Sequence, residues 1–139
     1  AGVLDGTVDT IESDHAPHTR AEKASASPPF GLPGLETTMP LMITAMRERG
    51  LTRDRLIELL ATNAQRIFGL VPPPDTYTLV DAEASYVISD DDLRCSSGWS
   101  PYSGMRVWGR VVEVRIRGRV AFDGEEVLAQ PRDGRRLLP

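Results

Sequence analysis

Between residues 35 and 69 the apolar positions fall at helical spacing. In 35–49, Leu35, Met39, Met42, Ile43 and Met46 share one helix face, with Pro40 tolerable only near the start and Gly50 as the stop. Thr52 is placed to cap a second helix with Asp54 in its first turn. Leu56, Ile57, Leu59, Leu60, Ala64, Ile67 and Phe68 give that helix a wide apolar face ending at Gly69. The run 8–13 (VDTIES) follows the turn signal Asp5-Gly6 and carries Val8, Thr10 and Ile11 without a breaker, so a short strand is expected there. Residues 14–34 hold four prolines, two glycines and both histidines of the chain, with neither helix nor strand periodicity; they read as one long loop.

Val71-Pro72-Pro73-Pro74-Asp75 is the sharpest break, since three prolines fit neither a helix interior nor a central strand. It divides the chain into 1–71 and 72–139. Past it, 77–80 and 84–89 are expected as short strands. In 111–117 (VVEVRIR), Val112, Val114 and Ile116 alternate with charged residues, the pattern of a strand with one wet face. Gly118-Arg119 and Asp123-Gly124 are the expected turns around that hairpin. The second part is thus a small, largely antiparallel β unit.

Composition narrows the function classes. With 139 residues, 40% of them hydrophobic, the chain is long enough for one packed core. A net charge of -4 with dispersed arginines lacks the footprint of a nucleic-acid binder, and no apolar run suits a membrane span or a signal peptide. The lone Cys95 excludes a disulfide framework and agrees with a reducing, cytoplasmic setting. The chain opens on Ala1 and runs almost at once into its densest polar motif, so it reads as a piece of a longer protein.

That motif is Ser13-Asp14-His15-Ala16-Pro17-His18, which puts a carboxylate and both histidines directly after the expected strand. A carboxylate at a strand end can ligate a divalent metal and serve as a general base toward metal-bound water; an imidazole four residues on can hold an anionic substrate group. The same hexapeptide also suits a capped turn with His15 inside and His18 on the surface. Other candidates read as structure. Gly31-Leu32-Pro33-Gly34 lacks the ending of a phosphate loop, and Asp90-Asp91-Asp92 lacks spaced calcium ligands. Trp99, Tyr102 and Trp108 read as the core of the β unit, and Cys95 has no activating context.

Residues 14–19 (DHAPHT), Glu22-Lys23, Phe30-Gly31, 33–37 (PGLET) and Pro40-Leu41 together resemble dihydroorotases of the class I, multifunctional-complex type in the amidohydrolase superfamily. Asn63 with 66–70 (RIFGL), 98–102 (GWSPY) and the 111–122 hairpin extend the resemblance over nearly the whole chain. It implies an α/β fold: residues 1–71 as the C-terminal end of a (β/α)8 metal-dependent hydrolase barrel, and 72–139 as C-terminal strands of a composite β-sandwich domain. It implies zinc, binuclear in the complete enzyme, and interconversion of N-carbamoyl-L-aspartate and dihydroorotate. By the same likeness Asp14 is metal ligand and proton shuttle, His18 contacts the substrate carboxylate, and the backbone of Phe30 and Gly31 contacts the pyrimidine ring.

His18 favours dihydroorotase over hydantoinase-like and allantoinase-like relatives, which usually lack a histidine there. The chain departs from the family pattern in three ways. Glu12 stands where a small or apolar residue is usual, Ala64 where proline is common, and the remaining metal ligands of the family are absent, His15 and His18 being the only histidines. The isolated 139-residue chain is therefore expected to be inactive. Its expected partners are the remainder of the barrel or a second copy, and aspartate transcarbamoylase. The competing reading is a non-catalytic, dihydroorotase-like structural partner of that transcarbamoylase.

Overall fold

A computed structural model describes residues 1–135. The expected first helix is present as α3 (Thr38–Arg49), entered through a 3-10 turn at Leu35–Thr37 that absorbs its first three positions. Pro40 lies in the first turn of α3, where a missing N–H removes no helical hydrogen bond. Gly50 ends the helix at φ 73, the left-handed conformation glycine adopts without a Cβ clash.

Thr52 caps the next helix as expected, its hydroxyl accepting from the Arg55 N–H. The helix is not uniform. It runs as α4 (Arg53–Ile57), a π-turn (Glu58–Thr62) and α5 (Asn63–Phe68), ending at Gly69. In the π-turn the Asn63 N–H reaches back five residues to the Glu58 carbonyl, while the Leu59 carbonyl accepts from the Ile11 N–H at 3.0 Å. The Asn63 side chain donates to the Asp9 carbonyl at 2.8 Å, and the Arg55 guanidinium donates to the carbonyls of Val3 and Val8. Residues 3–11 are thus laced to this helix.

That lacing accounts for one correction. Residues 8–13 form no strand: among the described residues no neighbouring strand is offered to them; instead the Val8 and Asp9 carbonyls accept from helix side chains, and the Val8 and Ile11 N–H groups donate to the Gly2 and Leu59 carbonyls. A short helix, α1 (Gly2–Asp5), precedes them, unanticipated from sequence. Another, α2 (Arg20–Lys23), interrupts the long loop. Its Thr19/Glu22 capping box is a legible start signal that the periodicity reading passed over.

Past the prolines lies one antiparallel sheet in the order β1 (Tyr77–Val87), β2 (Arg106–Ile116), β3 (Arg119–Phe122). The two short strands expected at 77–80 and 84–89 are a single strand with a bulge. Asp81 pairs with Arg110 and Ser85 with Trp108, so residues 82–84 stand opposite Gly109 alone. The Asp81 carboxylate closes the bulge by accepting from the N–H groups of Glu83 and Ala84. Ser89 leaves the strand to cap the 3-10 turn Asp90–Asp92. The β2–β3 hairpin turns at Arg117-Gly118, one residue earlier than expected, both at positive φ (53 and 75), the backbone of a type I′ turn.

The core joins the two parts. Met42, Ile43, Leu51, Leu56 and Leu59 form the buried cluster, with Val80 and Trp108 of the sheet packed against it. Thr44 Oγ1 accepts from the Trp108 N–H at 2.8 Å, and the Arg47 guanidinium lies 3.9 Å from the centre of the Trp108 ring. The wide apolar face expected on α4 and α5 is only half covered: Leu56 and Leu59 are buried, while Ile57, Ile67 and Phe68 stay exposed.

Candidate functional site

The loop 14–34 doubles back so that its first residues lie against its last. His15 forms a parallel bridge with Leu32, and the Ala16 N–H donates to the Leu32 carbonyl at 3.1 Å. Gly31 is required here. At φ 103 it passes so near Ala16 that a Cβ would sit 2.4 Å from the alanine methyl. Lys23, the only lysine, closes the fold of the loop by donating to the carbonyls of Pro29 (2.7 Å) and Gly31 (3.1 Å).

The two histidines have different environments. His15 Nδ1 accepts from the N–H groups of Gly34 (3.2 Å) and Leu35 (3.1 Å), capping the 3-10 turn that leads into α3. In the neutral ring that leaves the proton on Nε2, which faces Cys95 Sγ at 3.9 Å. His15 is therefore a structural residue. The half-buried His18 imidazole has no hydrogen-bond partner among the described residues, although its backbone carbonyl accepts from the Trp99 indole at 2.7 Å.

Asp14 sits at φ 43, in the left-handed region that aspartate tolerates better than most residues, and its carboxylate is exposed. Phe30 is 97% exposed at the tip of the same loop. Among the ionisable side chains of 14–34, His15, Arg20, Glu22 and Lys23 are all engaged internally. Only Asp14 and His18 are left without a side-chain hydrogen-bond partner among the described residues. Glu12 is also exposed, so its charge remains in water rather than inside a packed site.

Residues 89–100 grip this loop from the sheet side. The Arg20 guanidinium donates to Asp90 at 2.7 Å and lies 5.3 Å from the centre of the Trp99 ring. Glu36 accepts through both carboxylate oxygens from the N–H groups of Arg94 (3.0 Å) and Cys95 (2.8 Å). Trp99, expected in the core of the β unit, is instead buried against the His18 loop, where its indole N–H donates to the His18 carbonyl. Tyr102 is 38% exposed and does not belong to that core either. No sequence period marks these ties, which span 58 to 81 residues.

Hydrogen bonds from Arg20 and the Ser100 N–H hold the Asp90 carboxyl below the usual aspartate range. A depressed carboxyl stabilises the fold above the ordinary aspartate pKa, and that contribution disappears as pH falls through the lowered value. Acidification should therefore loosen the Arg20–Asp90 tie. The expected result is a change in Trp99 fluorescence at acid pH, read in a Trp108→Phe background, that moves or vanishes in Asp90→Asn. An unchanged acid titration in that variant would assign the transition elsewhere.

Of three cavities among the described residues, one touches the loop and two larger ones, of about 300 and 530 Å³, do not. The crevice between His15, Thr37, Cys95 and Trp99 holds only about 10 Å³, about the least that can admit a water. A cavity of about 300 Å³ under Leu35 and Pro40, floored by Ile88 and Phe122, is lined by no residue of 14–34.

No protein-family profile matches the chain. Curated sequences do. Multifunctional protein pyr1-3 of Dictyostelium discoideum is 46% identical over 123 residues, 88% of this chain and 6% of that protein. A dihydroorotase of Pyrococcus furiosus is 37% identical over 137 residues, 94% of this chain and 32% of its own length. The chain is thus similar to dihydroorotases over nearly the whole of its own length. It spans about a third of the length of the dihydroorotases it matches and a far smaller part of the multifunctional proteins.

Solved structures share the fold. The L-hydantoinase (dihydropyrimidinase) of Arthrobacter aurescens superposes with a TM-score of 0.83 at 27% identity, over 93% of this chain and 32% of that one. An inactive dihydroorotase-like domain of a Chaetomium thermophilum CAD-like multifunctional protein gives 0.69 at 22% identity, over 89% and 35%. At that identity the second likeness speaks for fold alone. The zinc implied by the sequence resemblance does not fit the residues at hand. Among the described residues no three His, Cys, Asp or Glu side chains come together, and His15 Nδ1 is already taken by two backbone N–H groups.

Proposed function

We propose that this chain is the C-terminal part of a dihydroorotase. Residues 1–71 would complete a (β/α)8 barrel, and 72–139 would supply strands to a composite β-sandwich, in a cytoplasmic enzyme. One observation carries the reading: in a loop whose other ionisable groups are all engaged internally, Asp14 and His18 alone keep side chains without a hydrogen-bond partner among the described residues. The half-covered faces of α4 and α5 support it, since Ile57, Ile67 and Phe68 are what the rest of a barrel would bury. Any zinc of that enzyme would depend mainly on ligands outside these residues.

In the hydrolytic direction water adds to the dihydroorotate ring carbonyl and the ring C–N bond breaks. Asp14 takes the proton from the water and returns it to the departing nitrogen, giving N-carbamoyl-L-aspartate. His18 holds the substrate carboxylate, a group that does not react. The backbone of Phe30 and Gly31 contacts the ring. Lys23 already occupies the Gly31 carbonyl, so the Gly31 N–H is the backbone group left for the ring. Aspartate transcarbamoylase fits as a partner in a multifunctional assembly. Allantoinase and hydantoinase are disfavoured by His18 and by the lower identity of the hydantoinase structures.

The test is kinetic. In the full-length enzyme His18→Ala should raise KM for dihydroorotate by roughly tenfold or more with a smaller change in kcat, as expected for loss of a charge-assisted contact. The purified 139-residue chain alone should show no turnover. An unchanged KM in His18→Ala would remove His18 from the substrate site, and turnover by the isolated chain would show that it needs no other ligands. Absence of dihydroorotase turnover in the full-length protein itself would favour the non-catalytic structural partner.

A further inference from the structure

The peptide unit between His18 and Thr19 is held at both ends by different parts of the chain. Its carbonyl accepts from the Trp99 indole N–H at 2.7 Å, and its N–H, that of Thr19, donates to the Glu22 carboxylate at 2.7 Å. Because a peptide unit is planar, holding it through its oxygen and its nitrogen fixes the plane, and with it the position of the His18 Cα from which the imidazole springs. The Glu22 half of this clamp is local, part of the capping box of α2. The Trp99 half comes from across the fold.

Trp99 is itself anchored. Asp90 accepts from the Ser100 N–H at 2.9 Å and from Arg20 at 2.7 Å, and the Arg20 guanidinium lies over the Trp99 ring at 5.3 Å. The bonds close a ring running Trp99, His18, Arg20, Asp90, Ser100 and back to Trp99. Packing alone explains why Trp99 is 9% exposed. It does not require the indole N–H to end on the carbonyl of the one residue whose imidazole is left without a partner.

We propose that Trp99 is a positioning residue for His18: through the His18 carbonyl it sets where the imidazole stands against the substrate carboxylate. The inference rests on the reading of His18 as a substrate contact. It assigns to residues 89–100 of the β unit a part in substrate binding that none of their own side chains performs by touching the substrate. A small misplacement of a binding group is enough to weaken its contact, while the reacting groups on Asp14 are left in place.

The experiment uses the full-length enzyme with Trp99→Phe, which keeps a buried aromatic ring and removes the donor, His18→Ala, and the double variant. Trp99→Phe should raise KM for dihydroorotate about three- to tenfold, the worth of one hydrogen bond, with kcat changed less than about twofold. In the His18→Ala background it should raise KM no further, because the group it positions is gone. A merely structural role predicts equal effects in both backgrounds, and that result overturns the proposal, as does an unchanged KM in Trp99→Phe when His18→Ala raises it. If His18→Ala itself leaves KM unchanged, the substrate contact fails and the positioning role falls with it. Asp90→Asn, at a surface residue of the same ring, is the second variant should Trp99→Phe not fold. It must give a smaller KM rise that also vanishes in His18→Ala, and a KM rise that persists there overturns the proposal.

Discussion

Asp14→Asn in the full-length enzyme should lower kcat by about 10² to 10⁴-fold, the usual worth of a positioned general acid–base group, with KM for dihydroorotate changed only a few fold. The substitution suits this position for a backbone reason. Asp14 sits at φ 43, and asparagine tolerates the left-handed region as well as aspartate does, whereas alanine there would add strain to the lost chemistry. The carboxylate is exposed and has no internal partner among the described residues, so its removal leaves no buried group unsatisfied. Thermal stability should thus stay within the error of the parent, and the rate loss can be read as chemistry. Steady-state rates of ring opening and a melting curve on the same preparations check both halves. A kcat within a few fold of the parent would take the proton relay away from Asp14.

The helices were legible because their signals are local. The Thr52 cap and the stops at Gly50 and Gly69 depend on a handful of neighbouring residues, and each is where the sequence puts it. The strand expected at 8–13 shows the limit of such signals. Val8, Thr10 and Ile11 state a preference for extended backbone, but a strand also needs a partner, and here those backbone groups bond to α4 and its continuation. Likewise Asp81 conceals a bulge that makes one strand look like two, because the side chain that closes it reads in sequence as a turn residue.

At the candidate site the residue types were legible and their division of labour was not. Asp14, His15 and His18 stand out as chemistry-bearing groups in one short run. Nothing in the run itself says that His15 spends its ring nitrogen on Gly34 and Leu35 while His18 keeps its own free. That distinction depends on the loop folding back on itself, which in turn depends on Gly31 and Lys23. Trp99 and Glu36 were missed as supports for the loop because they reach it from 81 residues later and toward 58 residues later, respectively, and no periodicity encodes such pairs.

Gly109→Ala should be strongly destabilising, costing about 3 kcal/mol. Gly109 lies at φ 89 in β2 where α3 crosses the sheet, and an added Cβ would fall 2.6 Å from both Cβ and Cγ1 of Ile43. Ile43 is 7% exposed, in the middle of the buried cluster, so the helix cannot retreat without opening the Met42, Leu56 and Leu59 contacts. Overpacking of that kind costs about 1 to 3 kcal/mol, and left-handed strain adds about 1 to 2. Gly50→Ala separates the two effects. Gly50 has a similar backbone at φ 73 and nothing within 4 Å of its added Cβ, so it should lose only the strain component. Denaturant unfolding of the two variants beside the parent gives the comparison. Equal losses would mean that α3 and β2 can part at Ile43 without penalty, and the close approach of helix and sheet would then not be what holds the two halves of the chain together.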